Sequence, residues 1–412
     1  MKRIIFIITA ALLALGLGGC SLTELLEDLT SQISPRETLP PVEQLEKQYS
    51  GYGFQALQNE AEKQLYAKLD SALQSPAPQT FSSMSFDNEM KISDVLEFYK
   101  DDHPEVFWVS ETEPYLYSNT ADSLEMELGY KISGEELTVA KAELETAVQT
   151  ALQNAPRGSD YEKEIYVHDY LMEHCVYDDE ALELHKTDTV RSNEQNAYGA
   201  LVEGKAVCEG YARAFQLLCS RMGVNCWVIQ GQAEGFDAEE ESSNHIWNCV
   251  ELDGDWYQVD VTWDDIEDGD ISCERYLYFN LTTAEMTKDH IISPLYSEYD
   301  GGEVWYNGFV PQCDSTEYNY LLQNSLTLES LDDSAAAEYL TKTAAKGEKN
   351  CEFLLGGSLD FDDTFDQIVQ NYAYDWITQA NENNGYSPEL SEECTVTGME
   401  TRRVIVLILD YE

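Results

Sequence analysis

The chain has 412 residues, with 24 Lys plus Arg set against 78 Asp plus Glu, a formal net charge of −54. A surface this negative repels phosphate backbones and anionic headgroups, which argues against nucleic-acid binding and against membrane attachment through a basic patch. Hydrophobic residues at 43% and charged residues at 25% form an ordinary globular balance, enough for two or three domains with a core and unlike a coiled coil or a multi-span membrane protein.

Lys2 and Arg3 form a short positive region, residues 4–17 are apolar, and the run ends Leu17-Gly18-Gly19-Cys20. The apolar stretch is shorter than the roughly 20 residues a spanning helix needs. The run resembles a bacterial lipobox, which implies a signal peptide over 1–19, a lipid on Cys20 and an extracytoplasmic, membrane-anchored chain. Residues 20–48, polar and holding Pro35, Pro40 and Pro41, read as a tether. Without Cys20, nine of the ten cysteines remain, so at least one thiol of an exported chain lacks an intrachain partner. The pairing of the others is open.

Over 49–155 the pattern is mixed α and β. Leu57, Ala61, Leu65 and Leu69 recur at helical spacing, and 95–99 suggests a short helix stopped by His103-Pro104. Residues 106–110, 115–117 and 124–132 read as strands and 137–155 as a helix broken by Pro156 and Gly158. His103, beside Asp101 and Asp102, reads as a surface or capping group.

The next region, 156–300, opens with an amphipathic helix over 159–175 and continues with a helix over 206–222 closed by Gly223. A strand follows at 226–230, then a solvated acidic loop at 234–243. Two alternating runs, 245–252 and 255–262, are joined by Asp253-Gly254, the strongest short-range hairpin signal. From 318 to 412 a small α/β unit is expected: a strand at 324–328, a helix at 332–346 capped by Gly347, and a strand at 351–355. A long helix follows, with Phe361, Phe365, Ile368, Val369, Tyr372 and Trp376 on one face, then an apolar strand at 404–409, as in a sheet buried on both faces.

The chemistry gathers in the middle region. Cys208 sits where a loop turns into a helix, a place whose unpaired N–H groups and dipole favour a thiolate. A two-residue turn at Asp253-Gly254 sets Leu252 opposite Asp255, His245 opposite Thr262 and Trp247 opposite Asp260. His245 and Asp260 then share a face as diagonal neighbours within hydrogen-bond reach. Cysteine, histidine and aspartate so placed form a nucleophile, a base and an orienting carboxylate. The Cys208 N–H is the natural first oxyanion donor, with Gln195 or Asn196 as the second.

The runs Ala197-Tyr198-Gly199-Ala200-Leu201 to Phe215, Asn244-His245-Ile246-Trp247-Asn248 and Trp256 to Asp264 closely resemble the bacterial transglutaminase-like superfamily. The resemblance spans about 155–290. It implies an α+β, papain-like fold in which a helix bearing the cysteine packs on an antiparallel sheet bearing histidine and aspartate. It implies Cys208 as nucleophile, His245 as base and Asp260 as its partner. Members include crosslinkers, peptidases, amidases and catalytically dead scaffolds, so fold is indicated better than substrate.

Three other patterns carry less. Gly199 to Lys205 mimics a phosphate-binding loop, but Ala206 stands where a Ser or Thr would hold magnesium. Asp264, Asp265, Glu267, Asp268 and Asp270 lack EF-hand spacing and read as a solvated loop. His168 and His174, six apart on a helix, do not share a face, and no zinc motif occurs. No metal or cofactor is expected. The sequence points to thiol-dependent acyl transfer or hydrolysis on a peptide or protein amide, hydrolysis favoured over crosslinking. Its rival is a catalytically silent surface scaffold.

Overall fold

The computed structural model describes residues 40–84, 92–110, 118–120, 123–185, 193–233, 243–265, 275–293, 309–331 and 334–412. Cys20, the leader and Pro35 lie outside the described residues, as do the strand expected at 115–117 and Glu267, Asp268 and Asp270. The chain divides after Gln48. In the first unit the described structure is one short helix, Val42–Gln48. Among the described residues no helix is long and apolar enough to cross a membrane.

From Tyr49 onward the chain forms one unit with three main sheets. The first is antiparallel: β1 Thr80–Met84, β2 Ser118–Thr120 and β3 Ser123–Glu127, in the order β1-β3-β2. The strand expected at 106–110 is reduced to a single bridge, Val109 with Tyr130. Val106, Phe107, Trp108 and Val109 are all buried, so the apolar run recorded burial rather than strand pairing. The helix Ile92–Asp102 is longer than expected and ends before Pro104.

A short parallel pair, β4 Val176–Tyr177 with β5 Lys205–Ala206, precedes the central sheet. That sheet is antiparallel throughout: β6 Asn225–Ala233, β7 Ser243–Leu252, β8 Asp255–Val259 and β9 His290–Ile292, in the order β8-β7-β6-β9. The helix Cys208–Arg221 lies on it. Ala212 packs on Val228 and Ile246, and Asn248 Nδ2 donates to the Ala212 carbonyl at 3.1 Å. Its other side is clamped to the helix Ile92–Asp102. Arg213 Nη1 is 2.7 Å from Asp101 Oδ1, both buried, and Gln216 Nε2 donates to the Asp101 carbonyl at 2.7 Å.

The last sheet holds β10 Leu326–Leu328, β11 Asn350–Leu355, β12 Thr395–Met399 and β13 Val404–Ile408, in the order β10-β11-β13-β12. The helices Ser334–Lys346 and Ala373–Asn384 cover one face. The single long helix expected there is three pieces, because a π turn at Ile368–Tyr372 separates Phe361–Gln367 from Ala373–Asn384. Strand β13 explains its own unbroken apolar run. Ile405 and Leu407 face the C-terminal core, whereas Val404 and Val406 join Trp227, Ile229 and Trp247 of the central sheet.

Candidate active site

Helix Cys208–Arg221 begins at the cysteine itself; Ala206, expected inside the helix, belongs with Lys205 to β5. Its N-cap is Val207, which has no capping side chain, so the first-turn amides are not satisfied by one. A tight turn, Asn193–Gln195, presses on this end. A Cβ on Gly210 would lie 2.4 Å from the Glu194 carbonyl oxygen and 3.2 Å from that of Asn196, so only glycine permits the approach. The Cys208 side chain is half-buried against Ala212, Val228 and Ile246 and lies close enough to His245 to raise the pKa of that ring.

His245 lies on β7 with its ring buried, and its Nε2 is 2.5 Å from Asp260 Oδ2. That contact leaves Nδ1 for the thiol. The hairpin has the expected register, with Leu252 opposite Asp255 and Asn248 opposite Val259. Asp253 and Gly254 both adopt positive φ in its turn, at 52° and 94°. The pairs expected beyond Val259 do not form. Strand β8 stops there, Thr262 lies in a short helix Val261–Asp264, and Asp260 is that helix's N-cap. Asp260 Oδ1 accepts from the amides of Thr262 at 3.0 Å and Trp263 at 3.2 Å. Capping overrides the alternating pattern, because an aspartate satisfies free helix amides better than a ladder position. The carboxylate still reaches His245.

Electrostatics follow from this packing. Burial works against a charged His245, but the Asp260 carboxylate and then Cys208 outweigh it and raise the ring's pKa to about 10. Burial opposes ionisation of Asp260 too, yet His245 and His290 together hold its carboxyl well below the usual range.

Several neighbours escaped the sequence reading. His290, at the start of β9, points Nε2 at Asp260 Oδ2 from 3.0 Å and Nδ1 at Asp289 Oδ1 from 2.7 Å, fully buried. Thirty residues separate it from Asp260, and the Asp289-His290 dipeptide was its only local signal. Gly231 makes room for β9, since a Cβ there would lie 2.1 Å from the Ile291 carbonyl oxygen. Tyr177 pairs with Ala206 in β4 and stands close to the thiol; burial, then Cys208, pushes its phenol up. Arg402, from the turn after β12, reaches Asp289 at 3.1 Å.

The two expected oxyanion donors differ in availability. Asn196 Oδ1 accepts from the amides of Tyr198 and Gly199, which ties that side chain into its own turn. The Gln195 Oε1 is buried without a hydrogen-bond partner. His168 is buried with Nε2 3.1 Å from Asp264 Oδ2, and His174 contacts the Tyr170 carbonyl. His103, expected as a surface or capping group, pairs with Glu105 at 3.2 Å and stacks on Tyr99. Lys205 pairs with Asp178 at 3.0 Å. In the acidic run, Asp264 is buried and Asp265 accepts from the Tyr211 hydroxyl.

His245, Asp260 and His290 offer two nitrogens and an oxygen within 4.8 Å of one another, a donor set of the type zinc accepts. Hydrogen bonds between them already account for the cluster. The eight described cysteines are all free thiols; Cys208 and Cys394 are half-buried and the other six buried.

Residues 148–261 match the family model described as the Transglutaminase-like superfamily, so this segment is a transglutaminase-like domain. The chain is 32% identical over 142 residues to a kyphoscoliosis peptidase of Mus musculus and 30% identical over 135 residues to that of Homo sapiens. The matches take in 32% and 30% of this chain but only 19% and 18% of those relatives. A solved structure, "Crystal structure of a TGase", aligns over 45% of this chain and 51% of its own at 14% identity and a TM-score of 0.26. The helix on an antiparallel sheet is the transglutaminase-like, papain-like arrangement.

Proposed function

We propose that the chain is a cysteine-dependent amide hydrolase acting on peptides or proteins, anchored outside the cytoplasmic membrane through Cys20. The observation that carries the catalytic reading is a half-buried thiol beside an imidazole whose far nitrogen lies 2.5 Å from a buried carboxylate. Cys208 Sγ gives its proton to His245 and attacks the amide carbonyl carbon. The oxyanion is received by the Cys208 N–H, with the Gln195 side chain as second donor. The C–N bond breaks as His245 delivers the proton to the leaving nitrogen, and a thioester remains on Cys208. Water then attacks the thioester while His245 takes its proton; the carboxylic acid leaves, and the proton returns to sulfur. Asp260 keeps the ring oriented and stabilises its cationic form throughout.

Water is favoured over an amine as acyl acceptor because the thiol is only half-buried and water is abundant around it. The acidic surface concentrates cationic amines such as lysine side chains, so both acceptors belong in the test. A peptide library carrying Gln and Lys is incubated with wild type and with Cys208→Ala and read by mass spectrometry. Shortened or deamidated products made only by wild type are expected; amine-joined adducts would make the chain a crosslinker. Identical outcomes for the two proteins would return it to the scaffold reading. For the anchor, the mature terminus extracted from membranes is expected to be an acylated Cys20, and an unmodified terminus elsewhere would end that assignment.

A further inference from the structure

We propose that Arg402, carried in by the turn between β12 and β13, is a positioning residue for the Cys208 site, acting through Asp289 and His290 on Asp260. The proposal deepens the catalytic reading above and rests on it.

The contacts form an unbroken line. Asp260 Oδ2 is shared by two imidazoles, His245 at 2.5 Å and His290 at 3.0 Å. The other nitrogen of His290 faces Asp289 Oδ1 at 2.7 Å. An ionised carboxylate only accepts, so each of the two His290 nitrogens faces an acceptor and the ring ties the two carboxylates together. Asp289 in turn lies 3.1 Å from Arg402 Nη2 and accepts from the Tyr278 hydroxyl at 3.0 Å. From Arg402 to His245 nitrogen groups and carboxylates alternate, and each carboxylate sits between two of the nitrogen groups.

Arg402 is held as a fixed charge. Nε donates to the Leu277 carbonyl and Nη1 to that of Glu285, both at 3.1 Å, and the guanidinium lies 4.2 Å from the Tyr278 ring centre. The other close neighbours of His290 are rings: Trp263, Trp247, His245 and Tyr278, with centroids 4.5, 4.9, 5.4 and 5.6 Å away. Strand β9 is only three residues long and pairs with β6 alone, so the ladder does little to orient this ring. Removing the guanidinium leaves Asp289 as a buried anion that competes with Asp260 for the His290 ring they share. Asp260 then loses one of its four donors or sees it drawn away, and its hold on His245 loosens.

The test needs no substrate. Full-length wild type, His290→Gln, Asp289→Asn, Arg402→Gln and Arg402→Lys are alkylated with iodoacetamide across about pH 5–9, and Cys208 labelling is read by site-resolved mass spectrometry. Thermal midpoints and near-ultraviolet circular dichroism report folding. In His290→Gln and Arg402→Gln the labelling rate of folded protein is expected to fall about tenfold near pH 6, with the acid limb of the profile moved up by about one pH unit. Arg402→Lys, which keeps a cation, is expected to stay within about threefold of wild type. A plain structural brace lowers the thermal midpoint without moving that limb, and this outcome would overturn the proposal. Should Arg402→Gln fail to fold, Asp289→Asn keeps the side-chain shape, and an unmoved limb there is equally fatal. If Cys208 of wild type labels no faster than the buried thiols, the catalytic reading fails first, so the two failures are told apart.

Discussion

Two buried histidine–aspartate pairs lie one helical turn apart along the chain, and only one adjoins the accessible thiol. Asp260 and Asp264 bracket the short helix Val261–Asp264, one as its N-cap and the other as its last residue. Asp260 faces His245; Asp264 faces His168 at 3.1 Å, with both side chains fully buried. Asp264 receives His168 and the Tyr278 amide at 2.8 Å, and burial pushes its carboxyl up. Asp260 receives two amides and two imidazoles and is pushed down. His168 stacks on Tyr276 and meets Phe279 edge-on, whereas His245 adjoins Cys208. A buried imidazole–carboxylate pair is thus a structural device as readily as a chemical one. Surplus donors on the carboxylate, and a half-buried thiol beside the far nitrogen, make the difference.

The contrast breaks or sharpens by substitution. His245→Ala is expected to lower turnover of whatever amide the library identifies by a factor on the order of 10⁶, because base and proton donor leave together. Asp260→Asn is expected to cost on the order of 10⁴, leaving a remnant from an intact but poorly held imidazole. His168→Ala should do the reverse: turnover per folded molecule within about threefold, and a loss of about 3 kcal/mol in denaturant unfolding from stranding Asp264. Equal losses of turnover in His168→Ala and His245→Ala would erase the distinction between the pairs.

The smallest effect is one of pH. Asp260 is depressed in the folded state, so its contribution to stability is present above about pH 4 and is lost as pH falls below that. His245 is raised to about 10, so its contribution is complete below about pH 6.5 and fades as pH climbs toward 10. Glu164, one turn before His168, is pushed up to about 8 by burial, with Oε2 held by Asn280 and Oε1 unpartnered. A raised carboxyl favours folding at low pH and costs stability as pH rises from 4.5 toward 8. Glu164→Gln is therefore expected to gain about 1–2 kcal/mol at pH 8, checked by urea unfolding at several pH values, and to leave Cys208 labelling unchanged. A changed labelling rate would tie the structural pair to the chemical one.

Local rules made much of this molecule legible beforehand. The Asp253-Gly254 turn determined the hairpin register, and the residue types around Cys208, His245 and Asp260 pointed to a transglutaminase-like core. The turn works because positive φ at two adjacent residues is a local demand that few sequences meet. What tertiary structure alone decided is everything that depends on distant segments meeting. Asp260 left the ladder for a helix cap. His290 arrived on a three-residue strand admitted by Gly231, and Arg402 came from a turn more than a hundred residues later. None of these carries periodicity or a spaced motif, because their partners are chosen by burial: an ion taken out of water must find an opposite charge wherever the packed chain provides one.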